Sequence, residues 1–331
     1  MNKMIESLLD KNLYSIKNKD IILKQTHISF VIMTDDYVYK IKKPVNFKFL
    51  DFSTLEKRKY YCEKEVELNK RLSPDVYLGV LEIKKNKGIY SFNNEGETVD
   101  YCVKMIRIPE EKMMIHLIKK NQVHESDINN IADLIASFHK KAETNSNISK
   151  YGSIDAVKKN INGNYEYAIN YINQTLSAET YRAIKDFTDN FFIKNKSLFE
   201  KRMKTGKIKD CHGDIHMEHI CLSDKTYIYD CIEFNDRFRY CDVASEIAFL
   251  AMDLDFHNRS DLSNFFIEKY IEITKDNEIQ DILNFYKCYR ACVRGKVNSL
   301  ELDDSQLNKT EREEAQNRAQ KYFNLALSYT R

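Results

Sequence analysis

The sequence predicts an α+β protein of two lobes: a small antiparallel β-sheet lobe with one helix over residues 1–108, and a larger helical lobe over residues 109–331. Three observations carry this expectation. Short segments rich in β-branched and aromatic residues fill the stretch from 21 to 108. From residue 111 the spacing of apolar residues becomes helical. Pro109 marks the change and reads as a hinge. A chain of 331 residues is also too long for one small core.

Taken in order, IILKQ, ISFVIM and YVYKIKK form a small sheet, with the turn TDD before the third strand and Pro44 after it. DFSTLEKRKYYCEKEVELNKRLSP follows as one helix of about five turns. Asp51 or Ser53 is its expected cap, and it stops before Pro74. Strands resume with VYLGVLEIKK, GIYSF and TVDYCVKMIRI. EKMMIHLIKK, DINNIADLIASFHKKA and amphipathic stretches between about 155 and 203 are helices. HICL and TYIYDCI flank the turn SDK as a short β interruption, DVASEIAFLAMDL resumes helix, and helices around 261–274, 278–299 and 309–329 complete the pattern.

Composition excludes several classes of function. Forty-three per cent hydrophobic residues rules out disorder, and 52 basic against 50 acidic residues leave a net charge of +2, with no whole-molecule field to hold nucleic acid or a membrane surface. No run of 18 apolar residues occurs, and MNKMIESLLDKN has charges where a signal peptide needs its apolar segment, so a cytoplasmic protein is expected. The eight cysteines form no CxxC and read as buried, reduced thiols. Of the eight glycines the closest pair is Gly206 and Gly213, so neither GxGxxG nor GxxxxGK can be written.

The densest chemistry lies in DCHGDIHMEHICL, residues 210–222. His212, Asp214 and His216 at alternate positions suit one divalent ion, which would make a metallohydrolase. Alternatively Asp214 alone is chemical. A β-rich lobe, a hinge and a helical lobe carrying an aspartate loop and a short hairpin are also the layout of a kinase. Phosphoryl transfer needs a roof lysine, a carboxylate to hold it, a base near the acceptor hydroxyl and metal ligands. Lys40 is the candidate lysine, and strand alternation puts Val38 on its face, where an adenine ring would rest. Lys42 shares that face, so the choice stays between two. Glu65 lies on the inward stripe of the helix, while Glu63 and Glu67 face water. Asp214 stands two after His212 and five before His219, the spacing of base and metal ligand in HRDxxxxN, and Asp230 ends the strand TYIYD.

HGDIHMEHICL followed by YIYDCIEFNDRFRYCDVASEIAFL resembles the aminoglycoside phosphotransferase family, whose loop HGDxxxxN precedes an aspartate on a short strand and then GDPxxDLA. Asp242 and Glu246 stand for the two acids of that last motif. THISFVIMTDDYVYKIKKPVNFKFLDFSTLEKRKYYCEKEVELNKRLSPDVYLGV further resembles a loosely defined bacterial branch of that family; the P-loop domain that some of its members carry after the kinase is not expected here. The resemblance spans roughly residues 20–300. It implies a protein-kinase-like fold, ATP or GTP with Mg2+, and a small-molecule hydroxyl acceptor. It implies Asp214 as base, Asp230 and His219 as metal ligands, and Lys40 with Glu65 as the phosphate clamp. Thr26 to Ser29 would form the phosphate loop, and Met105 to Ile108, including Arg107, the adenine hinge. His219 departs from the family's asparagine, Cys241 from its glycine, and Glu246 from its aspartate.

Imidazole beside magnesium leaves room for Mn2+ and for a nucleotide-binding protein without transfer. The metallohydrolase remains a lesser alternative, because His212 is structural in a kinase loop and His216 has no helical partner to complete a cage. For the acceptor, Glu233, Asp236, Asp253, Asp255 and Asp261 suggest an acidic rim for a polycation. Arg237, Arg239, Arg290 and Arg294 suggest an anion instead.

Overall fold

The computed structural model describes residues 3–14, 21–47, 49–92, 95–305 and 307–331. Its architecture is α+β. Six antiparallel strands form the main sheet in the spatial order Ile22–Gln25, Ser29–Met33, Tyr37–Lys42, Glu97–Ile106, Tyr77–Asn86, Ile89–Ser91. Alternation divides the sheet into two packed faces. Ile32, Tyr39, Ile41, Ile83 and Cys102 bury one face against Met4, Ile5 and Leu8 of the helix Lys3–Leu8. Val103, Met105 and Tyr77 on the other meet Cys62 and Val66 of the helix Leu55–Asn69.

That helix uses neither expected cap: Thr54, one residue after Ser53 and three after Asp51, is the N-cap, its hydroxyl accepting from the Lys57 N–H at 3.3 Å. Asp51 is drawn into a local turn by accepting from the N–H and hydroxyl of Ser53 at 3.0 and 2.6 Å.

The chain clusters into two compact units, Met1–Met113 with Cys221–Asp236, and Met114–Ile220 with Arg237–Arg331. Residues 221–236 join the sheet unit because their polar partners are there. Ser73 Oγ donates to the Ile228 carbonyl at 2.8 Å, and the N–H groups of Cys231 and Asp230 donate to Asn69 Oδ1 and the Tyr77 hydroxyl at 2.9 and 3.2 Å.

In the second unit the long helices are Glu125–Lys141, Ile154–Ala168, Ala178–Lys194, Val243–Phe256, Ser260–Thr274, Ile279–Glu301 and Lys309–Ser328. Val243–Phe256 is buried from Val243 to Leu254 and forms the centre of this unit. A ribbon of Ile208–Asp210 and Tyr240–Asp242 brings the chain to the aspartate loop. Among the described residues no helix is long and apolar enough to cross a membrane, and of the eight cysteines seven are buried and Cys241 half-buried, all as free thiols.

Candidate active site

In the sheet unit, register places Val38 opposite Met105, Lys40 opposite Val103, and Lys42 opposite Ser29. Glu65, fully buried on the helix Leu55–Asn69, meets both lysines with its two oxygens: Oε1 lies 2.9 Å from Lys40 Nζ and Oε2 2.7 Å from Lys42 Nζ. Each lysine has a second acid. Lys40 Nζ lies 2.6 Å from Asp230 Oδ1, and Lys42 Nζ bonds Glu233 Oε1. The two differ in burial, the Lys42 side chain being 1% exposed and that of Lys40 16%.

Burial alone would lower the Lys40 ammonium, but Asp230, Glu65 and Glu233 outweigh it and raise the group well above its ordinary value. Burial opposes ionisation of Glu65 too, yet Lys40 and Lys42 hold it below the usual range. Glu233, with one close lysine, is pushed up by burial. Three acids surround two lysines, so the cluster carries an excess of negative charge when all are ionised. Asp230, its side chain 39% exposed, is where that excess meets solvent. Asp230 also has a left-handed backbone, φ +64°, which a non-glycine residue adopts only when its surroundings hold it there. An exposed carboxylate with excess negative charge behind it is chemically suited to a hard divalent cation.

Thr26 and Ser29 close the turn between the first two strands, Thr26 N–H donating to the Ser29 carbonyl at 2.9 Å and Ser29 N–H to Thr26 Oγ1 at 3.0 Å. The Ser29 hydroxyl is buried without a hydrogen-bond partner. Val38, Met105 and Ile108 belong to one apolar cluster. Arg107 turns away from it, its Nη1 donating to the Thr34 carbonyl at 2.7 Å and its N–H to the Asp36 carbonyl at 2.8 Å.

In the helical unit the aspartate loop is clamped from behind. Glu246, fully buried, accepts from the N–H of His212 at 2.8 Å and of Gly213 at 2.5 Å, and pairs with His139 Nε2 at 2.7 Å. Burial would raise the Glu246 carboxyl, but His139, His212 and the Gly213 N–H hold it low. Gly213 has φ +90°, a conformation that disfavours any side chain. Asp214 then faces His216 Nε2 at 3.6 Å and His219 Nδ1 at 3.4 Å. Burial pushes its carboxyl up, but His216, His219 and Arg294 outweigh burial and leave it well below the usual range. His219 Nδ1 lies 2.9 Å from the Asp214 carbonyl oxygen. An Nδ1–H donor there leaves Nε2 as the acceptor nitrogen, the tautomer a metal ligand requires.

The three-residue cage expected as His212, Asp214 and His216 is corrected: the ligand-type atoms that converge within 4.8 Å belong to Asp214, His216 and His219. His212 is turned inward, its Nδ1 accepting the Asp214 N–H at 3.3 Å. Four of the five acids expected in the rim are engaged by other groups. Glu233 is buried on Lys42, Asp253 accepts the Met217 N–H at 2.9 Å, Asp255 pairs with Lys287 at 2.9 Å, and Asp261 with Arg259 at 2.8 Å. Of the arginines, Arg239 is held by Asp210 at 2.6 Å and Arg294 by Glu218 at 3.1 Å. Sequence reasoning did not single out His139, whose only trace is a histidine on the apolar stripe of an amphipathic helix, nor the Lys42–Glu233 pair.

No protein-family model matches the chain. It is 33% identical over 276 residues to an uncharacterized protein of Mycobacterium tuberculosis and to its counterpart in Mycobacterium bovis, covering 83% of this chain and 54% of theirs. The chain therefore spans about half the length of the curated relatives it matches. Among solved structures, a choline/ethanolamine kinase family protein from Mesorhizobium loti is similar with a TM-score of 0.54 at 11% identity, covering 99% of each chain. An amicoumacin kinase in complex with AMP-PNP and Ca2+ is similar at 0.51 and 10% identity, covering 98% of this chain and 96% of that one. The fold is protein-kinase-like, with a small antiparallel sheet unit and a larger helical one.

Proposed function

We propose that the chain is a small-molecule kinase of the aminoglycoside phosphotransferase-like kind, moving the γ-phosphate of ATP or GTP to a hydroxyl group. The observation that carries this reading is Lys40 Nζ, held between Glu65 at 2.9 Å and Asp230 at 2.6 Å. Asp230 lies two residues past the end of the short strand Thr226–Ile228, where the sequence places it within the strand. A cation fixed on a sheet by a buried helix carboxylate and facing such an aspartate is what a triphosphate with its metal ion requires. The solved amicoumacin kinase of the same fold was captured with AMP-PNP and Ca2+, which supports a nucleotide and a divalent ion as the expected ligands.

In this reading Lys40 neutralises phosphate oxygens while Glu65 fixes its direction. Val38, Met105 and Ile108 offer an apolar bed for the base, and the Thr26–Ser29 turn covers the phosphates. Asp230 and His219 Nε2 are the metal ligands; a bound Mg2+ or Mn2+ would screen the charge of the phosphates. Asp214 orients the acceptor hydroxyl and takes its proton. A carboxylate held so far below its usual range is a weak base. It suits a loose transition state, in which the oxygen nucleophile needs aiming more than early deprotonation.

ATP consumption by the purified protein with Mg2+ or Mn2+, across a panel of sugars, amino alcohols and aminoglycosides and with Asp214→Asn as the blank, tests the proposal. Acceptor-dependent turnover lost in the blank supports it. ATP binding without transfer to any acceptor favours a nucleotide-binding protein that has lost transfer. A zinc-dependent, ATP-independent hydrolysis would overturn the kinase reading in favour of the Asp214, His216 and His219 cluster.

A further inference from the structure

In the sheet unit, Val80 packs on the side of the helix Leu55–Asn69, so strand alternation counted back from it would send Leu78 inward and Tyr77 to the opposite face. The strand does otherwise. Its register against Glu97–Ile106 shifts between Tyr77 and Gly79: Val80 faces Val103, Gly79 faces Lys104 and Tyr77 faces Met105, which makes Leu78 the extra residue of a β-bulge. Tyr77 is thereby 1% exposed and joins Cys62, Val66, Val103 and Met105, while Leu78 is left 46% exposed. A bulge that leaves a leucine outside and turns a phenol inside has re-aimed a side chain, as bulges beside functional sites do.

The phenol reaches the Lys40 clamp. Its oxygen accepts the Asp230 N–H at 3.2 Å, and the Asp230 carboxylate pairs with Lys40 at 2.6 Å. Burial, then Glu65 and Asp230, raise the Tyr77 hydroxyl well above its ordinary value against the pull of Lys40. The oxygen therefore keeps its proton and serves the Asp230 N–H through a lone pair. Asp230 has φ +64°, a left-handed conformation that needs support from outside the residue. The Tyr77 hydroxyl gives that support at the N–H of the strained residue itself.

Two more buried side chains fix the residues on either side. Ser73, 0% exposed, donates to the Ile228 carbonyl at 2.8 Å. Asn69, 1% exposed, accepts the Cys231 N–H at 2.9 Å through Oδ1 and donates to the Glu65 carbonyl at 2.8 Å through Nδ2. One amide thus ties the turn at Asp230 to the residue that directs Lys40. The rotamers open to an aspartate depend on its backbone angles. A turn released at the Asp230 N–H would swing the carboxylate away from its present place beside Lys40.

Resting on the kinase reading, we propose that Tyr77 is a positioning residue for the metal ligand Asp230: its re-aimed hydroxyl holds the Asp230 N–H and so keeps the left-handed turn that presents the carboxylate to the metal ion of the nucleotide. Tyr77 does this without touching metal or phosphate. It acts as the outer partners of metal ligands do, by fixing the direction of the group that binds. Ser73 differs in holding a carbonyl two residues earlier, which anchors the segment but leaves the turn at Asp230 to Tyr77.

Tyr77→Phe keeps the ring in the core and removes the oxygen alone, and Ser73→Ala is the control for a merely structural role. On the full chain without ligands, amide hydrogen exchange at Asp230 should be about 3- to 10-fold faster in Tyr77→Phe than in the wild type. Calorimetry with ATP, first without metal and then with Mg2+ or Mn2+, reads the affinity that the metal adds. That gain should shrink about 10- to 100-fold in Tyr77→Phe, with metal-free ATP binding retained, and should persist in Ser73→Ala; melting curves confirm that each variant folds. Equal losses of the metal-dependent gain in the two variants would make Tyr77 structural only and overturn the proposal. Unchanged exchange and unchanged metal dependence in Tyr77→Phe overturn it as well. Absence of ATP binding by the wild type with either ion removes the kinase reading instead, and the exchange rates still decide whether Tyr77 holds Asp230.

Discussion

Lys42→Met separates the lysine that holds the sheet unit together from the one assigned to chemistry. The Lys42 side chain is 1% exposed and its ammonium is shared by Glu65 and Glu233, which are 0% and 6% exposed. Methionine fills the same volume and removes the charge. Glu65 keeps Lys40 at 2.9 Å, but Glu233 loses its direct partner. Breaking a buried pair in this way costs about 3–5 kcal/mol.

Glu233 offsets part of that loss by taking up a proton, which its burial already favours. The deficit should therefore be smaller in acid and grow as pH rises, because at high pH the carboxylate must stay charged without its lysine. Lys40→Met is the contrast. Asp230 is 39% exposed and well solvated, and Glu65 keeps Lys42, so a smaller loss than that of Lys42→Met is expected. Nucleotide affinity should instead fall sharply. Urea unfolding of each variant at pH 5.5 and pH 8, with and without ATP and Mg2+, reads both effects, since a ligand that binds the folded state raises the midpoint. The reasoning fails if Lys42→Met is as stable as the wild type, or if Lys40→Met loses more stability than Lys42→Met while ATP still protects it fully.

Three further outcomes are expected. Asp214→Asn should lower transfer by about two to four powers of ten with little change in nucleotide affinity, read by steady-state kinetics and calorimetry; unaltered turnover removes Asp214 from the reaction. His219→Asn should shift metal preference from Mn2+ toward Mg2+, since imidazole suits manganese and an amide oxygen suits magnesium. Equal responses of both proteins to the two ions would put the ligand elsewhere. Glu246→Gln should cost about 2–3 kcal/mol by weakening the acceptor of two backbone N–H groups and His139. Because the folded carboxyl is held below its usual value, that contribution is present above the unfolded value of about 4.3 and is lost as pH falls through the folded one. A stability difference that persists unchanged into acid contradicts the assignment.

The order of strands and helices was legible because alternation, helical spacing and three prolines are local signals. The cap of the helix Leu55–Asn69 was misplaced for a local reason too: Asp51, Ser53 and Thr54 are all good caps, and only the side-chain bond to Lys57 N–H selects Thr54. What the sequence could not show is which residues meet. Residues 221–236 group with the sheet unit through Asn69, Ser73 and Tyr77, three polar contacts spanning about 150 to 160 positions of chain. No periodicity encodes such bonds.

The choice between Lys40 and Lys42 could not be made from the strand, since alternation sends both to one face. It turns on Glu65 having two oxygens and on which second acid each lysine finds. Acidic residues scattered near the loop read as a surface for a polycation only while their partners are unknown. Once Lys42, Lys287 and Arg259 are seen to pair with Glu233, Asp255 and Asp261, those three acids project a much weaker field for a cationic acceptor. Arg290, in turn, is held by two backbone carbonyls and lies over the Phe249 and Tyr289 rings, while Lys296 donates to Asn164 Oδ1. Charge balance after pairing, more than the count of acids and bases along the chain, determines which acceptor this fold can hold.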